Sequence, residues 1–209
     1  MRSQRLYDHR AVIDHLKRHS PVGWNGKLIF IGASEGGPLV TTLTADYADI
    51  TAATVNWCGV GDWSWREELW VFIEKLRACG PWWIKLLKYM PTWIPFALGL
   101  PCTREDYDRQ MDETLANPTA SKKFVGMTYK YHADALLYPP YDYDRIRTPF
   151  LVVVGAQDSI IDSADAFVEK AQAAGAPITY WSVPDMDHFV RRRPEVIEQS
   201  FQWLKERIS

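Results

Sequence analysis

The apolar run Leu28-Ile29-Phe30-Ile31 shows no polar alternation. That is the pattern of a parallel strand buried on both faces, and it predicts a central strand over residues 27–31. Upstream, Leu6, Val12, Ile13 and Leu16 recur among charged neighbours at roughly helical spacing, closed by Ser20-Pro21. This predicts an amphipathic helix over residues 3–19, joined to the strand by the glycine-rich turn at residues 22–26. After residue 34 the pattern becomes helical as far as Tyr47, with Leu39, Val40, Leu43 and Tyr47 on one side. Pro38 falls in the first turn, where a missing N–H costs no intrahelical bond. Residues 50–57 are rich in β-formers and predict a second strand ending at Cys58-Gly59.

Beyond Gly61 the pattern changes to a helical, aromatic stretch carrying Trp63, Trp65, Trp70, Trp82, Trp83 and Trp93. Helices are expected over residues 64–78, stopped by Gly80-Pro81, and 81–90, stopped by Pro91. A charged helix opens at Thr103-x-x-Asp106, a variant capping box, and a further helix is expected over residues 118–137. Residues 150–154, launched by Pro149, then return to an almost wholly β-branched or aromatic strand. A helix follows over residues 163–174, with Asp162 or Ser163 as N-cap and Gly175 past its end, then a strand over residues 178–183. Pro194 starts the last helix, in which Ile197, Phe201, Leu204 and Ile208 form the expected apolar stripe.

The chain has 209 residues, 47% hydrophobic and 24% charged, enough to bury a real core within ordinary domain size. Its net charge of −2 supplies no basic field to hold a phosphate backbone, which sets nucleic acid aside as a partner. Cys58, Cys79 and Cys102 are odd in number and widely spaced, so they read as reduced structural thiols. The stretch from Trp82 to Leu100 is the most apolar, but Lys85, Lys88, Pro91 and Pro95 interrupt it, which argues against a membrane span. Met1-Arg2 is followed by polar residues without a signal-peptide core, and a cytoplasmic location is the expectation.

The chemistry concentrates on three loops. Gly32-Ala33-Ser34-Glu35-Gly36 fits G-x-S-x-G between a strand and a helix, where small residues permit a sharp turn that lifts the hydroxyl out of the sheet. A serine is a poor nucleophile without a positioned base, and the base needs a third group to hold its tautomer. Asp158 lies just after the strand at 150–154, and His188 just after the strand at 178–183. In a parallel sheet such loops emerge at the carboxyl ends of the strands, on one rim. Asp162 is the other candidate acid, but it stands where the following helix needs an N-cap, so Asp158 is preferred. Asp185 and Asp187 read as turn residues. His9, His15 and His19 read as solvated, and His132 as a packing or surface residue.

The order Ser34, Asp158, His188 resembles the α/β-hydrolase family over residues 27–209. The resemblance implies an α/β fold: a partial α/β-hydrolase parallel sheet of about four strands, with core segments 1–60 and 149–209 and a helical, tryptophan-rich lid at 61–148. It implies a serine hydrolase cleaving a carboxylic ester or related acyl bond through Ser34, His188 and Asp158. The N–H of Glu35 would be one oxyanion donor, and no metal or cofactor would be needed. The aromatic lid suits an apolar or aromatic acyl substrate. Two alternatives stay open: a serine aminopeptidase, with Glu67 or Glu68 binding the substrate amine, and a non-catalytic module binding a partner through the lid. The sequence departs from the family in one respect. The earlier half of the family's sheet, and the loop that supplies the second oxyanion donor, have no counterpart upstream of the first helix. On that count the strand at 27–31 is expected at an open edge, with self-association and low turnover as consequences.

Overall fold

A computed structural model of the chain describes residues 1–79, 101 and 103–208. These divide into two compact units, one of Arg2–Asp62 with Pro140–Ser209, the other of Trp63–Pro139 with Met1. The first begins with helix α1 (Arg2–Arg18), strand β1 (Leu28–Ala33), helix α2 (Gly37–Asp46) and strand β2 (Thr51–Trp57). The second contains α3 (Trp65–Cys79), α4 (Arg104–Ala116), a hairpin of β3 (Lys123–Phe124) and β4 (Met127–Thr128), and α5 (Tyr129–Leu136). The chain then returns to the first unit through β5 (Phe150–Gly155), α6 (Ile161–Ala173), β6 (Ile178–Val183) and α7 (Pro194–Ile208). The return begins before residue 149 because Tyr141, edge to face, and Tyr143, tilted, pack on Phe167 of α6, with ring centroids 5.4 Å away in each case.

The strands form one parallel sheet in the order β1-β2-β5-β6. Its register aligns Ala33 with Trp57, Trp57 with Val153, and Gly155 with Val183, so all four strands end on one rim. β5 is buried along its whole length, as a strand between two others and two helix layers must be. On one face, Ala53, Val55, Leu151 and Val153 pack against Val196, Trp203 and Leu204 of α7. On the other, Phe150 and Val152 pack against Phe167, Val168 and Ala171 of α6.

β1 is not the central strand that its apolar run predicts; it takes the edge position expected from the missing upstream strands. It pairs with β2 on one side, and no strand pairs with its other side among the described residues. Ile29 and Ile31, on the face that α7 covers elsewhere, remain 41% and 40% exposed. An apolar run reports which side chains could be buried, not whether a neighbour is present to bury them. α7 is rotated from its expected stripe: Val196, Ser200, Trp203 and Leu204 are buried, while Phe201 and Ile208 are exposed. Trp203 is the largest side chain available to the sheet, and its indole N–H donates to Thr179 Oγ1 at 3.3 Å. The small Ser200 accepts the Trp57 indole N–H at 3.0 Å.

In the helical unit, Leu69, Ile73, Tyr107, Met111, Phe124 and Tyr129 form a core, with Trp65 and Trp70 packed on it. Thr103 caps α4 by accepting the Asp106 N–H at 3.1 Å. The helix expected over residues 118–137 is instead a hairpin and a shorter helix. Val125 and Gly126 both take positive φ, 47° and 76°, which turns the chain back as a two-residue hairpin loop requires. Thr128 then caps α5 through the Tyr131 N–H. The helix expected at 81–90 lies outside the described residues, as do Trp82, Trp83 and Trp93. No helix among the described residues is long and apolar enough to cross a membrane.

Candidate active site

β1 delivers Ser34 to the rim, where the backbone turns abruptly. Ser34 has φ 49°, a left-handed conformation unusual for a residue with a side chain. A 3₁₀ turn over Ser34–Gly36 follows, and α2 starts at Gly37. The strain is held by close backbone packing from the end of β2. A Cβ on Gly37 would collide with the Gly59 backbone, and one on Gly59 would collide with the carbonyl oxygen of Ser34 itself. Two glycines from separate segments therefore allow the turn and the β2 loop to touch.

Asp158 and His188 come from the loops after β5 and β6, which are laced together. Ala156 N–H donates to Val183 O at 2.9 Å, and Gln157 N–H to Met186 O at 3.0 Å. Gly155 makes this possible, because any Cβ there would strike the Met186 carbonyl. Asp158 is 1% exposed, and its Oδ1 accepts the Ile160 N–H at 3.2 Å. The carboxylate thus organises the start of α6. The expected N-cap at Asp162 or Ser163 is not used: the cap position is Ile160, and Asp162 lies in the helix's first turn. In the other loop, Asp187 accepts the Phe189 N–H at 2.8 Å and pairs with Arg192 at 2.6 Å.

The rim brings Ser34, His188 and Asp158 into one line. His188 Nδ1 lies 2.9 Å from Asp158 Oδ2, and Nε2 lies 2.8 Å from Ser34 Oγ. An ionised carboxylate can only accept, so the imidazole proton sits on Nδ1 and Nε2 is left to accept from the serine hydroxyl. The bond to Asp158 raises the His188 pKa above its ordinary value of 6.5; burial opposes this, and Asp187 and Glu35 add to it. Cys58, itself at φ 49°, is buried behind Asp158. Burial first, then the neighbouring carboxylate, pushes its thiol up to about 12, so it stays protonated.

Other sequence candidates fall elsewhere. His132 belongs to the helical unit and is fully buried, accepting from the Trp65 indole at 3.1 Å and donating through Nε2 to Phe124 O at 2.8 Å. Glu67 is held by both arms of the Arg104 guanidinium. No group of three or more His, Cys, Asp or Glu side chains poised for a metal occurs among the described residues. Two features of the site were not anticipated: the packing role of Gly59, for which Cys58-Gly59 at a strand end was the available signal, and a contact of Arg2 with Glu35, for which there was none.

Solved structures align with the chain along its length. A carboxyl esterase of Bacillus coagulans is 14% identical, with a TM-score of 0.57 over 98% of this chain and 71% of its own. A protein of Mycobacterium tuberculosis H37Rv assigned as the non-heme bromoperoxidase BpoC is 16% identical, with a TM-score of 0.57 over 100% and 75%. This is an α/β-hydrolase fold. A structure from a study of carboxylesterases of the thaumarchaeon Nitrososphaera gargenis shares the α/β-hydrolase fold at 14% identity, with a TM-score of 0.55 over 99% and 73%. No family model and no curated protein matches the sequence. Four parallel strands of the α/β-hydrolase fold lie among the described residues, and the rim that carries Ser34 is the rim on which open α/β sheets generally bind ligands.

Proposed function

We propose that the chain is a serine hydrolase that cleaves a carboxylic ester or related acyl bond. The observation that carries this reading is the unbroken line from Ser34 Oγ through His188 to buried Asp158, with contacts of 2.8 and 2.9 Å. His188 takes the proton as Ser34 attacks the acyl carbon, and Asp158 holds the tautomer and stabilises the imidazolium. The Glu35 N–H, one residue past the nucleophile, bonds the developing oxyanion. The leaving alcohol takes the proton from His188, and water, activated by the same imidazole, releases the acid and restores the serine.

The helical unit enters between β2 and β5, in a connection that leaves the same rim, and we assign it the role of a lid on that ground. Apolar or aromatic acyl groups are the expected substrates. The aminopeptidase reading loses one of its two candidate carboxylates, because Glu67 is already paired with Arg104. A panel of p-nitrophenyl esters of increasing acyl length, run beside aminoacyl p-nitroanilides, tests the proposal. Ester turnover with a burst of one equivalent of p-nitrophenol, and none from the anilides, is expected. Turnover of the anilides alone would replace it with the peptidase reading.

A further inference from the structure

The residue that follows the proposed nucleophile is an acid, and this creates an electrostatic problem. Oxyanion stabilisation requires donors aimed at a growing negative charge in a site of low dielectric. The Glu35 N–H meets that need, but the carboxylate on the same residue opposes it. An unopposed negative charge there would raise the energy of the oxyanion and favour protonated His188 over the neutral base.

The structure contains a counter-charge. Arg2, at the first residue of α1, is 8% exposed and reaches across to Glu35 with both arms, Nε to Oε2 at 3.3 Å and Nη2 to Oε1 at 3.2 Å. The charge distribution of α1 itself does not favour a cation at that position. The N-terminal end of a helix favours anions, and the first turn of α1 has no acidic residue. A largely buried guanidinium is also costly unless paired. One partner, Glu35, lies 33 residues away, beside the reacting atoms.

We propose that Arg2 is a positioning residue for this site: its two-armed ion pair neutralises and orients the Glu35 side chain, so that the elbow N–H faces the forming oxyanion without a competing carboxylate. The role rests on the serine-hydrolase reading of Ser34. The carboxylates that act on His188 are Asp158 from the loop after β5, Asp187 from its own loop, and Glu35 from the elbow. Asp187 is paired with Arg192, Asp158 bonds the ring directly, and Glu35 is the one that Arg2 controls.

The test is a cycle of Arg2→Gln, Glu35→Gln and the double variant, each checked for folding by circular dichroism and thermal melting. Arg2→Gln is expected to lower kcat for an ester about tenfold with KM within about twofold, the size of effect one uncompensated charge has at short range. It should also move the acid limb of the pH profile upward. Removing the carboxylate as well should recover most of the lost kcat and bring the limb back to or below its starting pH. A double variant as slow as Arg2→Gln alone would mean that Arg2 only holds the fold, and an Arg2→Gln enzyme with unchanged kcat and pH profile would also overturn the proposal. NMR titration of the His188 imidazole reads the same cycle without turnover, and remains available from Glu35→Gln and the double variant if Arg2→Gln fails to fold. An upward shift in Arg2→Gln and a downward one in Glu35→Gln are expected, whereas an unmoved imidazole in Glu35→Gln would refute the coupling. A wild-type chain that hydrolyses no ester but shows these NMR shifts would count against the serine-hydrolase reading and leave the electrostatic coupling standing.

Discussion

Replacing Asp158 with Asn changes one atom of a buried side chain, and the surrounding hydrogen bonds dictate the outcome. Asp158 Oδ1 accepts from the Ile160 N–H at 3.2 Å, and Oδ2 accepts from His188 Nδ1 at 2.9 Å. An asparagine has one acceptor and one donor for these two positions. If its oxygen keeps the Ile160 N–H, its NH₂ faces Nδ1 and forces the imidazole proton onto Nε2, where it can no longer accept from Ser34. If the oxygen instead keeps His188, the NH₂ confronts the Ile160 N–H, and a buried donor is left unsatisfied at a cost of about 1–3 kcal/mol. The first arrangement abolishes the base, so kcat should fall by about 10⁴, the loss typical of a triad with the wrong tautomer. Asp162→Asn removes a charge from the first turn of α6 without touching His188. It should cost less than about 1 kcal/mol of stability and leave kcat within about twofold. Steady-state hydrolysis of a p-nitrophenyl ester by the two variants, with melting curves for both, decides the matter. An Asp158→Asn enzyme with more than a tenth of the parent's kcat, or an Asp162→Asn enzyme crippled to the same degree, would refute the assignment of the acid.

Further outcomes follow from the same geometry. Because the bond to Asp158 holds the His188 pKa above 6.5, and the base must be neutral, kcat/KM should fall with an inflection above pH 6.5 as pH drops; an inflection below 6.5 contradicts the pairing. In stability the sign is opposite: the protonated pair contributes below the unfolded pKa, and that contribution is lost as pH rises through the folded one. Gly59→Ala drives a methyl into the Ser34 backbone and should cost about 1–3 kcal/mol in denaturant melts, with loss of turnover; an unperturbed variant would show that the elbow does not depend on this contact. The open edge of β1, with Ile29 and Ile31 exposed, should cause self-association that Ile31→Lys reduces, as charges on edge strands do. Sedimentation velocity checks this, and a monomeric parent removes the basis for it.

Much of this architecture is readable in the sequence because it depends on local chemistry. Pro149 followed by a β-branched run marks β5, Thr103 with Asp106 marks the start of α4, and G-x-S-x-G between an apolar run and a helical pattern marks the turn at Ser34. Asp158 is legible as the acid in a loop after a strand, but the reason for preferring it over Asp162 fails: Asp162 is not the N-cap, and Asp158 itself organises the start of α6 through the Ile160 N–H. What escaped detection depends on neighbours distant in the chain. The apolar run of β1 by itself reads as a central strand, and only the count of strands upstream of α1 points to the edge position that β1 takes among the described residues. Spacing alone puts the α7 stripe on Ile197, Phe201, Leu204 and Ile208, while the packing of Trp203 against the sheet sets the rotation. The hairpin before α5 was hidden because Val125 at positive φ is a conformation that the residue type disfavours. Arg2 gives no signal at all, since a lone basic residue in a charged helix resembles any solvated one.

The central claim is that Ser34 is an activated nucleophile, and covalent labelling tests it most directly. The folded chain is treated with a fluorophosphonate, and the site of modification is mapped by peptide mass spectrometry in the parent, Ser34→Ala and His188→Ala. The account predicts stoichiometric modification of Ser34 in the parent, none in Ser34→Ala, and strongly slowed labelling in His188→Ala. Well-folded parent protein that takes up no label at Ser34, or labels it equally fast without His188, would contradict it.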